Sequence, residues 1–255
     1  MARAVLVIAD IGGYTKFMKV HRINLAHAQY IVACLLESVI DGAGRRLKLA
    51  KLEGDAAFFY ATLKEKGPTD LTETAQSIAD VRRAFVRRRQ ELAFDRVCNC
   101  DGCVQVGALK LKFVAHLGEI AFQKVKRYTE LAGVDVILVH RLLKNTVPVP
   151  EYVLVSHEVY THLNEDLRTR TTPIDAELEG LGATTLHYMD VAAMDAELLP
   201  ELAPSALRRL WGWVVMTWRS IPYFLGVKQS CEGFRNLGAV LPPETTPSMM
   251  PPSQG

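Results

Sequence analysis

The sequence of 255 residues has almost no excess charge of either sign. Its 30 lysine and arginine residues nearly balance 28 aspartate and glutamate residues, which leaves a formal net charge of +2. Proteins that attract nucleic acid through their overall charge are strongly basic. We therefore expect no nucleic acid partner, and any anion must be bound by a local group of residues.

Long hydrophobic runs are also missing. The apolar run before Asp10, "RAVLVIAD", is too short for a signal peptide or a membrane-spanning helix. Residues 207–227 are aromatic and apolar, but Arg219 and Pro222 interrupt them and argue against a spanning helix. The sequence thus predicts a cytoplasmic protein, and its 49% hydrophobic residues suffice for the core of one large domain.

The interrupted stretch is expected to lie in a helical extension at 193–240. A proline-rich tail at 241–255 follows it, and its composition predicts disorder. Three roles are open for the extension: packing on the main domain, contact with a second subunit, or contact with a membrane surface. The last role would make the protein a peripheral or scaffold module.

Cysteine is scarce, yet three of the 5 cysteines lie in one short knuckle at 96–104. In a reducing compartment, clustered thiolates indicate a metal site rather than disulfides. The C-x-C-x-x-C spacing supplies three ligands for a structural Zn²⁺. These ligands are Cys98, Cys100 and Cys103, and the candidates for a fourth are Cys231, His116 and a cysteine of a second subunit. An iron–sulfur cluster and a turn that binds nothing are the alternatives.

The hydrophobic pattern predicts an alternation of strands and helices in the order β-α-β-β-α-β-α-β. This order is typical of an α+β sandwich of the ferredoxin-like βαββαβ type. It includes a hairpin that turns at Gly54, a helix over 69–93, and a strand pair over 109–125 that turns near Gly118. The arginine-rich face at 82–89 is expected to be solvated, with an anion-binding patch as the alternative.

Two aspartates stand at the ends of predicted strands. Asp10 ends the first strand directly before two glycines, and Asp55 follows Gly54 at the tip of the hairpin. Either residue alone would be read as a turn former or a helix N-cap. Two carboxylates at adjacent strand ends, however, can hold divalent cations that bind a polyphosphate. The backbone amides of "IGGYT" would complete such a phosphate site.

The segments "ADIGGYTKF" and "KLEGD" resemble the metal-binding motifs of the class III nucleotidyl cyclases. The resemblance covers about residues 3–191 and implies a cyclase-homology domain at 1–192. It implies that Asp10 and Asp55 bind Mg²⁺ or Mn²⁺ with help from the carbonyl of Ile11. It also implies a phosphate-binding turn formed by Gly12, Gly13, Tyr14 and Thr15.

The resemblance extends to residues that would contact the rest of the nucleotide. Lys51 stands four residues before Asp55, where adenine-selective cyclases carry a lysine, although an exposed strand lysine is the alternative. Glu130 corresponds to the second residue that reads the base, and Arg141 to the arginine that binds the triphosphate. The protein also resembles a bacterial group of cyclase-related proteins of uncharacterised function.

Two positions depart from the cyclase pattern. Ile137 replaces the asparagine that orients the ribose, and Glu179 in "LEGLG" lies where cyclases carry a phosphate-binding lysine. The resemblance therefore implies a bacterial signalling homodimer that converts ATP to cyclic AMP and pyrophosphate slowly, as a phosphorus-oxygen lyase. The alternative is a degenerate protein of the same fold that binds a nucleotide or another ligand as a sensor or regulator.

Overall fold

The computed structural model describes residues 1–20, 25–63, 71–96, 101–192 and 205–227. Its strands are β1 (Ala2–Gly12), β2 (Lys48–Glu53), β3 (Ala56–Thr62), β4 (Lys110–Val125), β5 (Tyr128–Ala132), β6 (Tyr152–Val155), β7 (Thr172–Leu178) and β8 (Gly182–Asp190). Its helices are α1 (Tyr14–Val20), α2 (Leu25–Ala43), α3 (Thr72–Phe94), α4 (Asp101–Val104), α5 (Val134–Leu142), α6 (His157–Tyr160), α7 (Glu165–Thr169) and α8 (Ala206–Phe224).

The described strands form one open sheet in the order β2-β3-β1-β4-β6-β8-β7, and β5 pairs with β4. The first four strands of this order, with β1 antiparallel to both β3 and β4, have the arrangement of a ferredoxin-like βαββαβ unit. The α+β fold predicted from the sequence is therefore confirmed. β7 extends the far edge as a hairpin with β8.

The two faces of β1 belong to two different cores, because successive side chains of a strand point to opposite sides. One core lies under α2 and α3, and its β1 members are Val5, Val7, Ala9 and Ile11. The other core lies under α5, and its β1 members are Ala4, Leu6 and Ile8. Asp10 is the next residue on the same face as Ala4, Leu6 and Ile8. Its carboxylate therefore lies at the end of β1, on the side of the sheet that α5 covers.

The predicted turn near Gly118 is wrong. β4 runs without a break from Lys110 to Val125 and turns only at Lys126 and Arg127 before β5. Gly118 is needed for a different reason: a Cβ atom there would lie 2.2 Å from Cγ of Asp135. Glycine thus permits α5 to approach the strand closely, and a sequence pattern does not distinguish this use from a turn.

The prediction of a solvated arginine face on α3 is also wrong in part. Arg82 is buried, the side chain of Arg89 is 12% exposed, and both face the carboxylate of Glu151, which precedes β6. Arg83 and Arg87 are exposed, as expected for a surface helix. No helix in the described part of the chain has the length and hydrophobicity that crossing a membrane requires.

Candidate functional site

The candidate site begins where β1 ends beside the β2–β3 hairpin. In the sheet register, Asp10 lies opposite Ala56 of β3 on one side and opposite Lys112 of β4 on the other. Gly54 occupies the left-handed region with φ +69°, which lets the hairpin turn tightly before Asp55. The backbone N–H of Ile11 donates a hydrogen bond of 3.1 Å to the carbonyl oxygen of Asp55. The turn therefore holds Asp55 next to Asp10.

The two carboxylates influence each other electrostatically. Burial raises the pKa of Asp55 above its ordinary value, and the negative charge of Asp10 raises it further, against smaller opposing effects of its own backbone amide and Lys112. The charge of Asp55, added to burial, also raises the pKa of Tyr14. Asp55 has no ion pair among the described residues. The pair thus carries negative charge that the protein itself compensates only in part.

Lys112 supplies that partial compensation, and the sequence analysis did not identify it. Its Nζ lies 2.9 Å from Oδ2 of Asp10. Although burial alone lowers the pKa of Lys112, the hydrogen bond to Asp10 and the charges of Asp10 and Asp55 outweigh that effect and raise it. Lys112 lies 102 positions after Asp10, so only the strand register brings the two together. A divalent cation bound by Asp10 must compete with this lysine.

The predicted phosphate-binding turn, Gly12 to Thr15, lies directly after Asp10 and Ile11 in the chain. Gly13 has φ +85°, and its carbonyl oxygen accepts the first helical hydrogen bond of α1 from Phe17. A Cβ atom at Gly12 would lie 3.1 Å from Cε of Lys112, so the absence of a side chain leaves room for the lysine. Gly13 and Thr15 are exposed, and Tyr14 is half-buried. The turn thus lies at the surface of the protein, directly after Asp10.

The predicted base-reading residues lie in a separate group on the α5 side. Nζ of Lys51 forms an ion pair of 2.8 Å with Glu53. The hydrogen bond that Lys51 donates to Glu53 and, to a smaller extent, the charge of Glu130 raise the pKa of Lys51 against the effect of burial. Oε2 of Glu53 lies 3.3 Å from Nδ1 of His140, whose ring packs edge-on against Phe58. Lys51 is thus engaged within its own subunit.

Arg141, at the end of α5, points toward the β7–β8 turn. Its Nη1 is buried and lacks a hydrogen-bond partner in the described part of the chain. Gly180 of that turn has φ +71°, and a Cβ atom there would lie 3.2 Å from this Nη1. Glu179 and Leu181 flank the glycine and are exposed. Ile137, one helical turn earlier, is 51% exposed and presents an apolar surface at the predicted ribose position.

A buried histidine fixes the helix that carries Arg141. Nε2 of His116 lies 3.0 Å from Oδ1 of Asp135 at the start of α5, and its Nδ1 lies 2.8 Å from Oγ of Ser156. The other oxygen of Asp135 accepts a hydrogen bond of 2.6 Å from the backbone N–H of Glu119. These bonds join β4, α5 and the start of α6. His116 therefore has a packing role and is held far too tightly to be a free metal ligand.

The predicted zinc knuckle lies mostly outside the described residues, since these include neither Cys98, Cys100 nor Cys231. Cys103 is buried, and its Sγ lies 3.7 Å from Nδ1 of His27. In the ranges that the structure describes, no three histidine, cysteine, aspartate or glutamate side chains form a metal-binding group. The zinc site stays a prediction.

A cavity of about 170 Å³ lies away from this chemistry, between α3 and the other face of the sheet. Its wall is almost entirely apolar, and neither Asp10 nor Asp55 contributes to it. The carboxylates instead stand at an open strand end. The chemistry therefore lies at the surface of the α5 side, where a second subunit or a ligand has access.

Comparison with solved structures shows the fold. The adenylyl cyclase CyaB from P. aeruginosa superposes with a TM-score of 0.54 at 13% identity, over 74% of this chain and 94% of that one. The guanylyl cyclase Cya2 gives 0.56 at 12% identity, over 74% and 93%. The guanylate cyclase domain of RhGC from Catenaria anguillulae, solved in complex with GTP, gives 0.53 at 13% identity, over 73% and 95%. The chain thus has the fold of nucleotidyl cyclase domains.

Sequence comparison shows the family. Residues 32–152 match a family described as a protein of unknown function (DUF2652). The uncharacterized protein Rv2561/Rv2562 of Mycobacterium tuberculosis is 47% identical over 209 residues, which are 81% of this chain and 95% of that protein. Identity of this level over this length means common ancestry, and the chain belongs to the same family as Rv2561/Rv2562.

Proposed function

We propose that the protein is a metal-dependent nucleotidyl cyclase that converts ATP to cyclic AMP and pyrophosphate. The observation that carries this proposal is the pair of carboxylates, Asp10 and Asp55, at neighbouring strand ends. Two partly compensated carboxylates beside exposed backbone amides form a suitable donor set for a hard divalent cation and a polyphosphate. The cyclase fold makes this chemistry the best-supported use of the pair.

The donor atoms fit Mg²⁺ or Mn²⁺. Asp10 and Asp55 would supply carboxylate oxygens, and Ile11 would supply its carbonyl oxygen. The ion pair between Lys112 and Asp10 would have to break for the metal to bind. The bound metal would neutralise phosphate charge and make the ribose hydroxyl a stronger nucleophile. The raised pKa of Asp55 is consistent with this role, because a cation relieves the same repulsion that a proton relieves.

The residues of the chain would then orient the nucleotide. The 3'-oxygen would attack the α-phosphorus while its proton passes to water, and the bond from that phosphorus to the α,β-bridging oxygen would break as pyrophosphate leaves in line. The backbone amides from Gly12 to Thr15 would hold the phosphates. Arg141 would donate charge-assisted hydrogen bonds to the charge that develops on the reacting phosphoryl group.

Lys51 and Glu130 would contact the adenine. Because Lys51 is paired with Glu53 in its own subunit, base recognition requires it to exchange this partner for the base. By the cyclase resemblance, the site is built across the two-fold axis of a homodimer, with the carboxylates of one subunit facing Arg141 of its partner. In the single chain, Nη1 of Arg141 is buried and has no hydrogen-bond partner among the described residues, so it must become exposed before it can reach a nucleotide.

The test is product analysis after incubation with ATP and Mn²⁺. We expect cyclic AMP, and we expect Asp55→Asn to lower its formation by at least about 100-fold, since a residue that stabilises the reacting charge contributes on that scale. Asp41→Asn, an exposed carboxylate on α2, is the matched control and should retain full turnover. Absence of cyclic nucleotide from both ATP and GTP at high protein concentration would falsify the proposal.

The second candidate is a degenerate protein of the same fold that binds a nucleotide without converting it. The specific observation in its favour is Ile137, an exposed apolar side chain that cannot hydrogen-bond a ribose, beside a turn that carries Glu179 in place of a cation. Metal-dependent ATP binding in calorimetry without turnover would select this candidate. Turnover gained in Ile137→Asn but not in Val134→Asn, an exposed position on the same helix, would attribute the loss to the ribose contact.

A further inference from the structure

Helix α8 presents its most hydrophobic side to solvent. Side chains spaced three and four positions apart along a helix share one face. On α8 such a row of large apolar side chains is between 38% and 79% exposed. We call this row the tryptophan stripe, and its members are Leu207, Leu210, Trp211, Val214, Trp218 and Ile221. The usual amphipathic helix of a globular protein turns such a face inward.

The helix is attached through its other side. Oδ1 of Asp95, which follows α3, accepts a hydrogen bond of 2.7 Å from the backbone N–H of Ser205, and its Oδ2 pairs with Nε of Arg208. Gly212 is buried, and Val215 packs against the core under α2 and α3. These contacts fix the rotation of the helix. The stripe therefore faces away from the domain that holds it.

The charges that α8 and the residues directly after it carry are of one sign. Between Ser205 and Cys231 the sequence contains Arg208, Arg209, Arg219 and Lys228 and no acidic residue. Arg209 is exposed, and about 100° around the helix separate it from Leu210, the nearest member of the stripe. Arg208 is already paired with Asp95, and a second copy of α8 would offer the other cations no counter-charge, whereas an anionic lipid surface would. Tryptophan side chains are also favoured at the level of lipid headgroups.

We propose that α8 binds the surface of an anionic lipid bilayer, with the tryptophan stripe inserted at the level of the headgroups and the positive charge of the helix attracted by the lipid. A helix of this kind lies in the plane of the membrane surface and does not cross it. This inference stands on the stripe and the charges alone and does not depend on the proposed nucleotide chemistry. It would bring the domain to a membrane as a peripheral protein.

The chain carries its own probe for this binding. All 3 tryptophans of the protein lie in α8, so intrinsic tryptophan fluorescence reports on this helix alone. With the full chain, we expect a blue shift of the emission and co-flotation with vesicles of phosphatidylglycerol and phosphatidylcholine. Pure phosphatidylcholine vesicles should bind at least about tenfold more weakly, and added salt should weaken the binding to anionic vesicles.

Two tryptophan variants separate the stripe from general hydrophobicity. Trp218 is 75% exposed in the stripe, and Trp213 is 56% exposed about 140° away around the helix. Trp218→Ser should weaken vesicle binding by about tenfold or more, and Trp213→Ser by much less. Thermal melting should be unchanged in both, because neither side chain is buried.

Three results would each overturn the proposal that α8 binds a membrane. Equal losses in both variants, or no blue shift and no flotation of the wild-type chain with anionic vesicles, would overturn the proposal. A dimer in light scattering that Trp218→Ser dissociates, without any vesicle binding, would assign the stripe to a second copy of the chain and overturn it as well. None of these assays measures cyclase activity. A negative result for membrane binding therefore leaves the proposed turnover untouched, and the reverse also holds.

Discussion

Two carboxylate groups in this protein differ in how completely their charge is compensated. Glu151 is buried, with oxygens 3.2 Å from Nη1 of Arg89 and 3.5 Å from Nζ of Lys110, and it also accepts a hydrogen bond from the backbone N–H of Leu111. Asp10 and Asp55 share Lys112 as their neighbouring cation in the described part of the chain. A fully compensated carboxylate stabilises the fold, whereas a partly compensated pair is suited to bind the divalent cation that we propose.

The largest expected effect concerns the compensated group. Glu151→Gln leaves Arg89, Lys110 and Arg82 facing a neutral side chain in a buried site, which should lower the free energy of unfolding by about 3 kcal/mol. Urea denaturation measures this change. Glu177→Gln, on the exposed face of β7, is the control and should change stability by less than about 0.5 kcal/mol. Similar losses in the two variants would mean that the Glu151 cluster is not a stabilising unit.

The next effect concerns the cation that competes for Asp10. Lys112→Met removes the positive charge beside the carboxylates and should tighten Mn²⁺ binding by about tenfold. Titration calorimetry without nucleotide measures this affinity. Lys110→Met removes a lysine two positions away on the same strand, where it pairs with Glu151, and should leave Mn²⁺ binding unchanged. Unchanged affinity in Lys112→Met would show that this lysine does not occupy the metal-binding position.

A smaller effect, opposite in sign to that of Glu151→Gln, is expected for Asp55. Because the folded state raises the pKa of Asp55 above its ordinary value of 3.8, the protonated form is favoured in the fold. The stabilisation that this shift contributes is fully present below the pKa that Asp55 has in the unfolded chain. It is lost as the pH rises through the pKa of Asp55 in the folded protein. Asp55→Asn, which mimics the protonated form, should therefore stabilise the metal-free protein at pH 7, by less than about 1 kcal/mol after solvent screening.

Asp95→Asn provides the matched contrast in the same denaturation experiment. Burial alone raises the pKa of Asp95, but the hydrogen bonds from Arg208 and the backbone of Ser205 outweigh it and lower the pKa. The stabilisation that Asp95 contributes is fully present above the pKa that it has in the unfolded chain. It is lost as the pH falls through the pKa of Asp95 in the folded protein. Asp95→Asn should thus destabilise at pH 7. If both variants shifted stability in the same direction, the contrast between functional and structural carboxylates would be wrong.

The sequence predicted the parts of the site that depend on local chain geometry. Asp10 was identified from the end of an apolar strand before two glycines, and Asp55 from a glycine turn within a hairpin. Both signals are short-range, because strand ends and tight turns are encoded by a few adjacent residues. The fold class followed from the same pattern, whereas β5 and β7 were not predicted.

The long-range partners could not be predicted in this way. Lys112 reaches Asp10 through the register of β4 against β1, and Arg89 reaches Glu151 across 62 positions. An arginine-rich helix face predicts exposure to solvent, because the sequence pattern does not show that Glu151 lies opposite it in the fold. Gly118 was misassigned for the same reason, since the side chain that requires its small size, Asp135, comes from the following helix.

The most direct test of the central claim is whether Asp10 and Asp55 bind one shared cation site. Electron paramagnetic resonance counts free Mn²⁺ in the presence of a non-hydrolysable ATP analogue, for the wild-type chain, Asp10→Asn, Asp55→Asn and the double variant. We expect each single variant to weaken Mn²⁺ binding by at least about tenfold and the double variant to bind little more weakly than either. Losses that simply add, or binding that neither substitution changes, would contradict this claim.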